Sequence, residues 1–127
     1  MTLNKPIIHL LVVDDEQGMR DMLSWELGSQ GYQITTARNG EEAVKSMRKQ
    51  KFDLVITDFK MPKMDGLDLL KNIKGIDAEL IVIMATGHGT MDTAMKATKN
   101  GVYEFILKPY DLDHLSALIE QALLKKK

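Results

Sequence analysis

The stretch Ile7-Ile8-His9-Leu10-Leu11-Val12-Val13-Asp14-Asp15-Glu16 sets an apolar run, continuous rather than alternating, directly against three acids. A short continuous run rich in β-branched residues reads as a strand buried on both faces, as in a parallel sheet covered by helices. The pattern returns twice, in Leu54-Val55-Ile56 followed by Thr57-Asp58 and in Leu80-Ile81-Val82-Ile83-Met84 followed by Ala85-Thr86. Two weaker runs, Tyr32-Gln33-Ile34-Thr35-Thr36 and Val102-Tyr103-Glu104-Phe105-Ile106-Leu107, complete a set of five, and the polar Tyr32 run suits an edge.

Segments with helical spacing lie between and after these runs: Met19, Met22, Leu23 and Leu27; Ala43, Val44 and Met47; Leu67, Leu70 and Ile73; Met91, Ala94, Met95 and Thr98; Leu115, Leu118, Ile119, Ala122 and Leu123. Gly31 follows the first helix, Asn39-Gly40 precedes the second and Gly101 follows the fourth, while Thr90 and Asp111 suit N-caps of the fourth and fifth. Strand and helix alternate throughout, which predicts an α/β fold: a doubly wound five-stranded parallel sheet with helices on both faces. The flavodoxin-like order 2-1-3-4-5 is expected, because it centres the buried first strand and leaves the polar second strand at the edge.

A chain of 127 residues, 44% hydrophobic and 28% charged, can bury one core and suits a single domain, residues 1–127, with an ordered part from about 6 to 124. Seventeen basic against eighteen acidic residues leave a net charge of -1, so no global field would hold it on nucleic acid or anionic lipid. With no cysteine, a disulfide framework, thiolate zinc sites and thiol nucleophiles are excluded. The first residues lack a secretory h-region and no apolar stretch approaches the roughly 20 residues of a membrane span, so a cytoplasmic location is the default expectation. The closing Lys125-Lys126-Lys127 is a solvated helix end, a phosphate-binding tail or the start of a linker.

In an open parallel sheet, ligands bind beyond the carboxyl ends of the strands, where the strand order reverses. Those ends carry Asp14 and Asp15, then Asp58, Thr86 and Lys108. Alone, Asp14-Asp15 could be a solvated turn or, with Glu16, a helix start. Asp58 at the next strand end changes this, since three crowded carboxylates need a cation or a raised pKa to persist. Oxygen ligands favour Mg²⁺, or Mn²⁺ in its place, and Mg²⁺ commonly completes its shell with phosphate. A carboxylate is a competent nucleophile toward phosphorus. Asp58, alone at the end of a buried strand, is the expected phosphoacceptor, with Asp14 and Asp15 placed for metal. Lys108 would offset charge on the transferring group, Thr86 would donate to a phosphoryl oxygen, and Gly87 leaves room for it.

Asp14-Asp15-Glu16, Asp58 with Met61-Pro62-Lys63-Met64-Asp65-Gly66, Ala85-Thr86-Gly87 and Lys108-Pro109 together resemble the receiver domain of bacterial two-component response regulators, over nearly the whole chain. Thr86-Gly87-His88-Gly89-Thr90 with Phe105-Ile106-Leu107-Lys108-Pro109-Tyr110-Asp111 is most similar to the NtrC-like, nitrogen-regulation subfamily. The resemblance implies that Asp58 takes a phosphoryl group from a phosphohistidine of a sensor histidine kinase. It implies Mg²⁺ on Asp15, Asp58 and the backbone carbonyl of Lys60, with Asp14 acting mainly through water. It further implies a switch in which Thr86 and Phe105 move inward together, and a cis Lys108-Pro109 bond that aims the ammonium into the pocket. Many relatives carry tyrosine where Phe105 stands, so this switch would rest on packing alone.

Helix 4, strand 5 and helix 5 would form the output face toward an effector domain or protein, and the resemblance implies that this face could pair two copies on phosphorylation. His88 and Lys60 flank the pocket, as tuners of water access or, for His88, as a loop residue with no role. Met91 and Met95 read as core filler first and as a changeable partner face second. His9 and His114 carry no expected role. Three other functions compete. A small-molecule phosphatase with an aspartyl intermediate would want an acid where Lys60 stands, and a flavin or nucleotide carrier would want a phosphate-cradling loop where Asp14-Asp15-Glu16 stands. A degenerate receiver would signal by binding only. DNA binding by this chain itself is not expected.

Overall fold

The structure, a computed structural model, describes residues 6–87 and 90–125. Five strands alternate with five helices: β1 (His9–Val13), α1 (Gln17–Gly28), β2 (Gln33–Ala37), α2 (Gly40–Lys49), β3 (Leu54–Asp58), α3 (Gly66–Ile76), β4 (Ile81–Thr86), α4 (Met91–Lys99), β5 (Glu104–Leu107) and α5 (Leu112–Lys125). All pairings are parallel and the sheet order is β2-β1-β3-β4-β5, as the sequence predicts. The strands observed differ from the apolar runs by one or two residues at their ends. The fifth begins at Glu104 rather than Val102.

Strand side chains alternate in direction, and here both directions are apolar. Leu11, Val13, Val55, Val82 and Met84 pack with Ala43, Leu69, Leu70, Ile73 and Ala97 on the side of α2, α3 and α4. Leu10, Val12, Leu54, Ile56 and Ile83 pack with Leu23, Leu27, Leu115, Ile119 and Ala122 on the side of α1 and α5. This two-sided burial is why the central runs show no polar alternation. Among the described residues no helix is long and apolar enough to cross a membrane.

Capping fixes where the helices begin. Asn39 accepts from the Glu42 N–H at 2.9 Å, Asp65 from the Asp68 N–H at 2.9 Å, and Asp111 from the His114 N–H at 3.1 Å. Thr90 and Thr93 cap each other's backbone N–H groups at the start of α4. Gly31 and Gly101 follow their helices at φ 100° and 96°, the left-handed region glycine enters at little cost.

One expectation fails. Met91 and Met95 are 79% and 64% exposed, and Thr98 is exposed as well. The stripe that α4 turns inward is Thr93, Ala94 and Ala97, with only Ala97 fully buried. Small residues let the helix lie close to the sheet, so the methionine stripe, about a third of a turn round, is left outside. His9 is half-buried, its Nε2 at 2.8 Å from Thr35 Oγ1 and its ring edge-on to Phe52, while His114 is exposed. Lys125 is exposed at the end of α5, and Lys126 and Lys127 lie outside the described residues.

Candidate functional site

The register builds the site. Val13 lies opposite Thr57 and Asp58 opposite Ala85, so Asp14 and Asp58 leave neighbouring strands at one level, with Thr86 one residue further on. Thr86 lies opposite Leu107, which puts Lys108 next along. A pocket of about 540 Å³ at this edge is lined by Asp15, Glu16, Asp58, Lys60, Met61, Pro62, Thr86, Gly87 and Lys108.

Asp14 is fully buried and held at every polar atom. Its N–H donates to the Ala37 carbonyl at 3.1 Å, and one carboxylate oxygen accepts the Glu16 N–H at 2.9 Å. The other accepts the Lys108 ammonium at 2.8 Å, and its carbonyl accepts Arg20 Nη1 at 2.7 Å. Asp58, 6% exposed, has its Oδ2 3.6 Å from the same ammonium. Burial pushes the Asp58 carboxyl above its ordinary pKa; Lys108 opposes this, and the charges of Asp14 and Asp15 add to it. Burial would lower the Lys108 pKa, but the hydrogen bond and charge of Asp14, with Asp58 and Glu16, raise it overall, so the ammonium stays charged.

Short backbone bonds hold the loop that follows Asp58. The Phe59 N–H donates to the Ala85 carbonyl at 2.8 Å, and the Gly66 N–H to the Phe59 carbonyl at 2.6 Å. A Cβ on Gly66 would meet the Asp58 carbonyl oxygen at 2.6 Å and Phe59 Cα at 2.7 Å, so only glycine lets α3 begin so close to Asp58. On the far side the Lys108 N–H donates to the Thr86 carbonyl at 2.9 Å, and the Lys108-Pro109 bond is cis. Thr86 is buried, Gly87 is exposed at the pocket rim, and Pro109, which follows Lys108 in the chain, is exposed. Phe105 is half-buried and meets Phe59 edge-on, ring centroids 6.2 Å apart. His88 lies outside the described residues.

Asp14, Asp15 and Glu16 each bring a carboxylate oxygen within 4.8 Å of the others, an acidic cluster that could hold a metal ion. The donor set is all oxygen, which suits a hard cation. Since both Asp14 oxygens are already engaged, Asp15, Asp58 and Glu16 are the acids left to approach an ion in the pocket. Arg20 and Tyr110 also belong here and escape the sequence reading. Arg20 looks like an ordinary helix residue because its target is a backbone carbonyl, and Tyr110 looks like a loop aromatic.

Residues 10–120 match the family described as the response regulator receiver domain, and the chain belongs to that family. It is accordingly a phosphoryl-accepting signalling switch of the two-component type, most similar to receivers of NtrC-like regulators. It is 41% identical over 115 residues to the transcriptional regulatory protein GlrR of Escherichia coli strain K12, covering 91% of this chain and 26% of that protein. To the DNA-binding transcriptional regulator NtrC of the same organism it is 38% identical over 112 residues, covering 88% and 24%. The chain thus spans about a quarter of the length of these relatives.

Among solved structures, the receiver domain protein from Clostridium thermocellum superposes with a TM-score of 0.90 at 36% identity, covering 94% of this chain and 97% of that one. The beryllofluoride-activated NtrC4 receiver domain dimer gives 0.89 at 37%, covering 94% and 98%.

Proposed function

We propose that Asp58 is the phosphoacceptor, and that the donor is a phosphohistidine on a sensor histidine kinase. A carboxylate oxygen of Asp58 forms the new bond to phosphorus as the phosphorus–nitrogen bond breaks, and the electron pair leaves on the imidazole, which takes up a proton. The observation that carries this reading is the Lys108 ammonium, 2.8 Å from Asp14 and 3.6 Å from Asp58 at the mouth of the sheet. A cation there can follow negative charge from the carboxylate to the phosphoryl oxygens. Asp15, Asp58 and the Lys60 carbonyl would hold Mg²⁺, or Mn²⁺, with Asp14 acting through water, and the bound ion would neutralise phosphoryl charge.

Thr86 would donate its hydroxyl to a phosphoryl oxygen, with Gly87 leaving the approach open and Phe105 repacking behind it. Water attack on the acyl phosphate returns Asp58 and releases phosphate, and Lys60 and His88 would tune its access. Pro109 shapes the turn that carries Lys108. Charge arriving at Asp58 would then bias α4, β5 and α5, the surface offered to an effector domain or protein. The NtrC4 receiver is a dimer when activated by beryllofluoride, and pairing of two copies of this chain on phosphorylation is proposed by analogy. The chain acts as one receiver domain in the cytoplasm. Lys60 two residues after Asp58, where a small-molecule phosphatase of the aspartyl type would want an acid, argues against that reading.

Intact mass after incubation with acetyl phosphate, with and without Mg²⁺, tests this on the parent and on Asp58→Asn. A single phosphoryl adduct requiring both Mg²⁺ and Asp58 is expected. A labelled Asp58→Asn would overturn the assignment, and no adduct in any condition would leave a receiver that acts by binding only.

A further inference from the structure

Lys108 has a third neighbour besides the two carboxylates: its ammonium lies 5.8 Å from the centre of the Tyr110 ring, inside the roughly 6 Å over which an aromatic face attracts a cation. The Lys108 side chain is only 11% exposed, so little water competes for the charge. The ring itself packs against the core on the α1 and α5 side. We propose that Tyr110 is a positioning residue for phosphoryl transfer, holding the Lys108 ammonium over the pocket while its anionic partner changes. This rests on the reading of Asp58 as phosphoacceptor.

The ammonium must meet two demands. Before transfer it is shared between Asp14 and Asp58; afterwards it has to follow the phosphoryl oxygens. A carboxylate in the place of Tyr110 would compete for it with a directed hydrogen bond, and an aliphatic side chain would offer it nothing. An aromatic face attracts through its quadrupole without a fixed donor–acceptor direction, so the ammonium can swing between oxygens and remain held. Asp14 and Asp58 also raise the Tyr110 pKa beyond what burial does, which keeps the phenol neutral beside the two acids.

The test varies ring electron density at constant shape. Phenylalanine at position 110 is the reference, compared with mono-, tri- and pentafluorinated phenylalanine placed there, in the otherwise unchanged chain. The probe is acetyl phosphate with Mg²⁺, and the readouts are the rate constant of adduct formation by intact mass and the thermal midpoint. The rate is expected to fall stepwise with fluorination, by about three- to tenfold across the series, while the midpoint moves little. A flat rate across the series would overturn the proposal, as would a fall that merely tracks the midpoint. Tyr110→Leu should give a rate at or below the pentafluorinated variant; should it fail to fold, the fluorinated series still decides. No adduct even on the parent would instead refute the Asp58 reading.

Discussion

Strands β3 and β5 lie two places apart in one sheet and meet opposite surroundings. Every residue of β3 is buried, whereas in β5 Glu104 and Leu107 are exposed and Phe105 and Ile106 are half-covered. The helices repeat the contrast, α3 burying Leu69, Leu70 and Ile73 while α4 buries only Ala97. Local opening is easiest where few apolar contacts are lost. The Asp58 carboxylate, the proposed acceptor, therefore stands on the least deformable part of the molecule, and Thr86, Phe105 and Lys108 lie against the part most free to shift. A switch needs this division: a fixed point for chemistry and a neighbouring element with more than one arrangement within reach.

The largest effect should come from breaking the rigid half. Leu54, fully buried at the start of β3, is expected to cost about 2–5 kcal/mol when changed to alanine, by lost transfer energy and the cavity left behind. Denaturant unfolding measures it, and a cost below about 1 kcal/mol would mean that the centre of the sheet is no tighter than its edge.

Gly66→Ala tests the join between that half and the chemistry. The added methyl would press on the backbone of Asp58 and Phe59, with no flexible side chain to yield. A loss of about 1–3 kcal/mol is expected, together with slower phosphoryl uptake from acetyl phosphate. Unchanged stability and uptake would show that the loop after Asp58 adjusts freely, which contradicts its place on the fixed side.

Asp58→Asn should act in the opposite direction on stability. The folded-state pKa of Asp58 lies above the ordinary 3.8, chiefly through burial, so the native chain holds this proton more tightly than the unfolded chain does. Stability therefore falls as pH rises from about 3.8 through the folded value, and the loss is complete above it. Asparagine removes the charge while Asp14 keeps its bond to Lys108, so the variant should melt a few degrees higher at pH 8, the gap closing as pH falls toward 4. A variant that melts lower at pH 8 would mean that the Asp58–Lys108 attraction outweighs burial.

Much of this contrast is legible in the chain. Continuous apolar runs mark β1, β3 and β4 because burial on both faces admits nothing else, and the acids and the threonine stand out because they close such runs, while Lys108 closes the weaker fifth run. The site is read from strand ends, where one polar residue breaks an apolar pattern. Arg20 and Tyr110 break no pattern, and their parts follow only from distances. On α4 the periodicity is real, but two stripes satisfy it, and hydropathy alone favours the methionines over the stripe of small residues, Thr93, Ala94 and Ala97, that turns inward.

Met95→Gln should have the smallest effect and bears on the open half. Glutamine matches methionine closely in length and helix propensity, so the substitution changes little but polarity. With Met95 64% exposed, stability should stay within about 0.5 kcal/mol of the parent in the denaturant assay used for Leu54→Ala. A cost of 2 kcal/mol or more would mean that Met95 is covered in solution, by a second copy or by residues beyond those described, and that α4 is not the loosely held element the comparison requires. Repeating the measurement across protein concentrations separates those cases, because only cover by a second copy makes the cost depend on concentration.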